Sequence, residues 1–537
     1  MSKLSDAIKK CIDAFGIDII KDKKIVNILA DYHAYDGKPA FKHVFSAIVN
    51  DGYAKHLLDV KNQQVHIKRD IAKISNDYGF RRELVQEVYE SIIASMQLAV
   101  EIESEPFVKN NVNVRLSLKK IQKYEAICES YKYKKEKKDQ YETDAYGALY
   151  SKDGKALVSL GKFKGSLYII RNGTVYIANG VYTGETNKCS SLTIPSSVKA
   201  IGSYSFNGIG IEHIDIPTSV EYIGEGAFCS NEKMSGKVIH EGVEYVGAYA
   251  FCDTNVDSVT LPSTLCQIGG AAFPAGSVVD SRTDNYIFSD GHLINLDRTV
   301  LVSSFSTAEK IDLPDTIVEL GDSALASCDH TNEIVLNEKL EKIGEYVFPE
   351  NLKKIKIGNH LRKIGKYAFQ NCRFLEEIEF PSSLEAIGDY AFEECSSLCV
   401  INIPRNVKKI GQHVFSSCEM LSEITCDSPD FMVENDALYD KKQKRLIVYF
   451  GTEQAFTVKK GTQIIDEDAF KNNVHLTIVE LPKSIKEVPY MLFCYCPNLK
   501  EVYVWNPELD ISSVKLYAKV KRKYLLKNGQ IRKSGYL

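Results

Sequence analysis

One pattern recurs along most of this chain at a spacing of 21 to 24 residues, and no other feature restricts the fold as much. A clear copy reads Leu375-Glu-Glu-Ile378-Glu-Phe380-Pro381-Ser-Ser-Leu384-Glu-Ala-Ile387-Gly388-Asp-Tyr-Ala391-Phe392-Glu-Glu-Cys395. The copy before it ends Ile364-Gly365…Ala368-Phe369…Cys372, and the one after it Ile410-Gly411…Val414-Phe415…Cys418. The same frame returns at Ile201-Gly202…Phe206, Ile223-Gly224…Phe228, Val246-Gly247…Phe251, Ile268-Gly269…Phe273, Leu320-Gly321…Leu325 and Ile343-Gly344…Phe348. Degenerate copies flank these, with Tyr182, Phe470 and Phe493 at the aromatic position. A unit this short cannot bury its own apolar groups. Stacked units can, so the pattern predicts a quasi-one-dimensional core with caps at its ends.

Each unit carries its own chemistry. Alternation in Ile378-Glu379-Phe380 predicts a half-buried strand. Proline follows that strand at Pro195, Pro217, Pro262, Pro314, Pro381, Pro404 and Pro482, where a missing N–H and a fixed φ end pairing and turn the chain. Glycine after the second apolar residue is expected to permit a tight or left-handed turn, and the Ala-Phe pair to fill the next layer. Three segments depart from the pattern: Tyr146–Leu157, which opens the array, and Tyr286–Leu301 and Phe431–Phe450 within it. All three read as β-hairpins, with strands flanking turn-forming residues.

The repeat resembles the BspA-type (Treponema-type) leucine-rich repeat. That resemblance implies a curved, right-handed solenoid with a parallel β-sheet on one face, used in that family mainly to bind other proteins and often displayed at the cell surface. The expected fold is therefore α+β and multidomain: an N-terminal all-α bundle, then a leucine-rich-repeat solenoid with a parallel β-sheet face and inserted β-hairpins. The boundaries expected are a helical bundle over 1–105, a charged linker or helix over 106–144, the solenoid over 145–508 and a basic C-terminal cap or tail over 509–537. The solenoid should hold about twelve or thirteen coils, with insertions near 284–305 and 430–452.

The ends differ from the array. Leu4, Ile8, Ile12 and Phe15 fall on one helical face stopped by Gly16, and Leu84, Val85, Val88, Tyr89, Ile92, Ile93 and Met96 keep the same period. The segments Phe15–Ile17, Val26–Tyr32 and Asn50–Tyr53 resemble a helical module found ahead of varied partner domains in bacterial proteins; the resemblance implies no activity, and an adaptor or docking role is the expectation. Ser117–Tyr141 is lysine-rich with interspersed glutamates and reads as a solvated helix or linker. The last residues, Ile511–Leu537, hold eight Lys or Arg and no acidic residue. There Lys519, Lys521, Arg522 and Lys523 interleave with Tyr517 and Tyr524, a composition for touching an anionic surface or for a basic helix capping the final coil.

Chemistry is sparse. No HExxH, GxSxG, phosphate-loop or strand-linked GxGxxG motif occurs, and no catalytic, cofactor-binding or metal residues are assigned. Of fourteen cysteines, Cys328, Cys372, Cys395, Cys418 and Cys496 sit three residues after the aromatic position, and Cys229 and Cys252 one after it. They read as reduced thiols packing as small apolar groups. Cys494-x-Cys496 is too little for a zinc site. A formal net charge of −4 removes the case for a generally basic nucleic-acid binder.

Recognition by surface remains. The strand residue between two inward positions faces outward, so a column can be read by register: Thr193, Asp215, Thr260, Asp312, Val335, Lys356, Glu379, Asn402, Thr425, Glu480 and Tyr503. His213, Lys354, Glu377, Glu423 and Glu501 stand beside it. Mixed signs favour a protein partner over nucleic acid. The first residues lack the apolar core of a secretory signal, and no uncharged run approaches the ~20 residues that span a bilayer. The expectation is a cytoplasmic, non-enzymatic scaffold or adaptor; the alternative is a surface or secreted adhesin exported by a nonclassical route.

Overall fold

The computed structural model describes residues 3–35, 40–50, 53–54, 70–71, 73–74, 82–96, 111–161, 163–182, 184, 189–236, 238–283, 285–512, 514, 521–525 and 531–536. It forms two compact units, Met1–Arg115 and Leu116–Leu537. The first is helical: α1 (Lys3–Phe15), α2 (Ile25–Asp31), α3 (Ala40–Asn50) and α4 (Arg82–Met96). Leu4 and Ile8 of α1, Phe41 and Phe45 of α3, and Val85, Tyr89 and Ile92 of α4 share one buried core. Gly16, at φ 81, donates its N–H to the Ile12 carbonyl at 2.8 Å and ends α1. Phe15, expected on the buried face, lies in the last turn beside that stop and is exposed. Among the described residues no helix is long and apolar enough to cross a membrane.

The second unit is a β-solenoid of about 15 turns. Most coils carry two short strands. The first holds the expected alternation, as in Lys310–Asp312, Glu333–Val335 and Lys354–Lys356, which pair in parallel with Asp312, Val335 and Lys356 in one row. The second strand was not foreseen. It is the residue pair ending in the apolar group before glycine, as in Lys363–Ile364, Ala386–Ile387 and Lys409–Ile410, also paired in parallel. Two parallel sheets therefore run along the array. Between them the proline carbonyl accepts from the residue three further on, as in Leu384 N to Pro381 O at 3.1 Å and Val407 N to Pro404 O at 3.1 Å, which closes each corner as a turn.

The repeat glycine has a different role from the one expected. Gly365, Gly388 and Gly411 are absent from the left-handed positions. A Cβ on Gly388 would lie 2.6 Å from the carbonyl carbon of Gly365 in the preceding coil, so glycine is required for close backbone approach. The left-handed residue comes two places later and is usually not glycine: Tyr346, Tyr367, Tyr390 and His413 have φ of 54 to 56°. Their rings stack coil upon coil, with centroids 4.5, 4.8 and 4.5 Å apart. Inside, Phe206, Phe228, Phe251 and Phe273 form a second column, fully buried, at spacings of 5.5, 5.4 and 5.3 Å.

The three expected hairpins are three-stranded meanders, and they restart the array more than they interrupt it. They begin at Tyr141, Tyr286 and Phe431, equally spaced by 145 residues (286 − 141 and 431 − 286). In each, two antiparallel pairings lead to a last strand that joins the second sheet in parallel: Ala156–Ser159, Val300–Ser304 and Arg445–Tyr449. The buried apolar residues divide the same way, into clusters spanning 148–305, 294–447 and 437–514. The solenoid is thus three stacked segments, each headed by a meander. Because the meander's last strand completes a turn without the repeat's signature residues, counting signatures alone finds fewer coils.

Both flanks of the array depart from expectation. The later residues of helix α5 (Asn111–Ser130), read as solvated, pack on the outer side of the second sheet in the first coils. Ile121 and Cys128 are buried with Ala200 and Tyr222, and Tyr124, Tyr176 and Tyr245 close around them. Lys120 bonds Glu244 at 2.8 Å and pairs with Glu221, Tyr124 donates to Glu221 at 2.8 Å, and Asn179 donates to Glu129 at 2.7 Å. The outward position of the second strand explains the placement: it holds Tyr176, Tyr222 and Tyr245 here, but Glu319, Lys342, Lys363 and Lys409 further on. The basic tail forms strands, not a helix. Lys521–Leu525 pairs in parallel with Glu501–Val504, and Ile531–Tyr536 adds antiparallel to it.

Candidate partner-binding face

The outward residues of the first strands lie along one side of the array, and within each short sheet parallel register fixes one above its counterpart, about 4.8 Å away. Thr193 lies opposite Ile169, Thr260 opposite Asp280, Asn402 opposite Thr425, and Glu480 between Thr457 and Tyr503. Thr193, Asp215, Asp312, Lys356, Glu379, Asn402 and Thr425 are exposed; Thr260, Val335, Glu480 and Tyr503 are half-buried. His213 and Glu377 stand on isolated parallel bridges.

Chemistry changes along this face. The early coils offer Ser191, Thr193, Ser258 and Thr260, small and uncharged, with His213 and Asp215 between them. The middle coils alternate sign in one column: Lys310, Glu333, Lys354 and Glu377. Lys310 is bonded within the molecule, to Glu333 at 3.1 Å and Asp312 at 3.5 Å, and these two acids raise its pKa. Sequence reasoning missed the opening of the face. Leu167 and Ile169 are 54% and 60% exposed on a strand whose coil lacks the corner proline, and Val278 is 70% exposed on the strand before the second meander. Alternation around Tyr168 and Val279, both buried, was the available signal.

At the far end the face is closed by its own contacts. Thr457 donates to Glu480 at 3.3 Å, and Trp505 Nε1 also donates to Glu480. Lys523, expected to meet an external anion, instead bonds Glu501 at 2.6 Å and the Tyr503 hydroxyl at 2.9 Å. Lys519 lies outside the described residues, and only the backbone of Lys521 and Arg522 is described.

The cysteines have a more specific role than apolar filling. Cys395, Cys418 and Cys496 donate their thiols to the carbonyls of Phe369, Phe392 and Phe470 at 3.1, 3.1 and 3.0 Å, and Cys372 to Pro349 at 3.5 Å. Asn231 takes the same corner in another coil, donating to Phe206 at 2.9 Å. Burial pushes the Cys328 and Cys496 thiols up to about 11 and 12. Such thiols are not nucleophiles. Cys229 and Cys252 depart from the expectation of reduced thiols, since the structure joins them as a disulfide between neighbouring coils.

These coils, strand faces and corner donors define a leucine-rich-repeat solenoid. The model of the BspA type leucine rich repeat region matches it in six copies, over residues 165–277, 288–351, 349–454 and 449–520, and the chain belongs to that family. Among solved structures, a leucine rich cell surface protein from Faecalibacterium prausnitzii is 19% identical over 54% of this chain and 95% of its own, with a TM-score of 0.37. The pneumococcal vaccine antigen PcpA is 21% identical over 70% and 84%, with a TM-score of 0.38. A leucine-rich repeat protein from Eubacterium ventriosum is 16% identical over 70% and 96%, with a TM-score of 0.40. No curated protein matches significantly.

Proposed function

We propose that this protein is a non-enzymatic scaffold that binds a partner protein along the outward face of its first strands, while the helical unit docks a second component. The observation that carries this reading is a row of differing outward residues, Asp312, Val335 and Lys356, in register beside an inward row of isoleucines, of which Ile311 and Ile334 are buried and Ile355 half-buried. An array of equivalent coils offers an extended surface and little else. The family supports the reading, and mixed charge favours a protein over nucleic acid. Cytoplasmic residence belongs to this reading.

A second reading, a surface or secreted adhesin, is favoured by one observation: the Cys229–Cys252 disulfide, a bond that persists in oxidising compartments. Protease treatment of intact and lysed source cells separates the two. Cleavage only after lysis supports the intracellular scaffold, and cleavage of intact cells supports the adhesin. For the face itself, pull-down with Lys356→Glu and Glu379→Lys is expected to lose the principal partner. Retention of every partner would refute the strand face.

A further inference from the structure

Cys229 and Cys252 each follow the buried phenylalanine of their coil and occupy the same turn in neighbouring coils, 23 residues apart, with Cα atoms separated by 4.7 Å. Both are half-buried. Unlike the corner cysteines, they share a carboxylate. Asp253 Oδ2 lies 3.9 Å from Cys229 Sγ, 4.0 Å from Cys252 Sγ and 3.3 Å from Ser230 Oγ. Ser230 and Asp253 hold the same left-handed conformation, φ 57° and 51°, one coil apart, which directs Asp253 toward the sulfurs and leaves Ser230 beside it. The two sulfurs and the carboxylate oxygen all lie within 4.8 Å of one another.

We propose that Cys229, Cys252 and Asp253 form a site for a thiophilic divalent cation of the zinc class, open when the two sulfurs are reduced and closed when they are joined. Two thiolates and one carboxylate are zinc donors, with bonds of about 2.3 Å to sulfur and about 2.0–2.2 Å to oxygen, and water completes a tetrahedron. Rotation about the two Cα–Cβ bonds separates the sulfurs enough to share an ion. The chemistry balances as two steps. Two equivalents of a low-molecular-weight thiol cleave the S–S bond, leave as their own disulfide and deliver two protein thiols. The cation then displaces both thiol protons to solvent. The carboxylate supplies the third ligand and the remaining local charge. Either state pins the same two coils together, so oxidation exchanges one cross-link for another.

The test uses the full-length protein and Co²⁺ as the probe, because thiolate ligation to cobalt produces a charge-transfer absorption in the near ultraviolet. After reduction with a phosphine, the protein is expected to develop that band at one equivalent of Co²⁺; the oxidised protein should not. Cys229→Ser and Cys252→Ser should each abolish it. Asp253→Asn keeps both sulfurs and is expected to weaken cobalt binding about tenfold or more. It therefore reports on the site even where a cysteine variant folds poorly. Absence of the band in reduced protein, its persistence in Cys229→Ser/Cys252→Ser, or resistance of the folded disulfide to the phosphine would each overturn the proposal.

Discussion

The thiol of Cys395 donates to the carbonyl of Phe369 across 3.1 Å, from one coil to the one before it. That carbonyl already accepts from the Cys372 backbone N–H at 3.1 Å, so the corner cysteine adds a second donor and ties one coil to the next. Cys395→Ala should cost about 0.5–1.5 kcal/mol, the net worth of one hydrogen bond, read as a lowered urea midpoint at unchanged slope. Burial also holds the Cys395 thiol well above its ordinary pKa. Iodoacetamide at mildly alkaline pH should spare it in the folded protein and label it after unfolding.

Gly388→Ala tests the close-approach argument. The added methyl meets the carbonyl carbon of Gly365 at 2.6 Å, and backbone on backbone cannot give way without moving a coil. A loss of about 2–3 kcal/mol is expected in urea unfolding. Gly173→Ala makes the contrast, since a Cβ there meets nothing within 4 Å although φ is 89°. Its cost should be the backbone term alone, about 1–2 kcal/mol.

Helix α5 should come loose without the solenoid unfolding. Tyr222 is buried beneath it, stacked on Tyr245 at 4.9 Å. Tyr222→Ala is expected to raise hydrogen exchange in residues 119–130 markedly while the amides of the later coils, such as Ile364 and Ile387, keep their protection. Equal loss of protection in both regions would mean that the helix is part of the solenoid's cooperative core.

The residues that made the fold legible were those whose period is enforced by stacking. Ile387, Gly388, Ala391 and Phe392 recur because each must fit the same residue one coil away, and their frame identified coil, corner and outward column. Relations set by non-repeating neighbours were not legible. Tyr176, Tyr222 and Tyr245 occupy a position that holds glutamate or lysine in several later coils, and the helix across them explains the difference. The 145-residue spacing of the meanders was present in the sequence but hidden, because their strands lack the signature glycine and phenylalanine. The outward face was readable from alternation. Lys523 was not, because its partner Glu501 belongs to another strand of the same sheet.

The joint between the second and third segments should be most stable in mildly acidic solution. There Arg445 donates to the Ile410 carbonyl at 2.7 Å and lies 3.3 Å from Asp466, both side chains almost wholly buried, while His413 meets Asp468 at 2.8 Å. Lys471, Glu467 and Asp440 complete the charges around them. Asp468 raises the His413 pKa, so that contribution is complete below the unfolded value of about 6.5 and is lost as pH rises through the folded one. For Asp468, burial pushes up but His413, Ser416 and Lys471 outweigh it and hold the carboxyl below its ordinary value. Its contribution is lost only on stronger acidification. Asp466 works in the opposite sense: burial raises it to about 6, against the pull of Arg445, so its ionised form is a burden that protonation relieves as pH falls. The three directions agree on a maximum at about pH 4 and a decline toward alkaline pH. Urea midpoints at mildly acidic and mildly alkaline pH should show that decline, and His413→Gln should flatten it. A decline of the same size in His413→Gln would place its origin elsewhere in the chain.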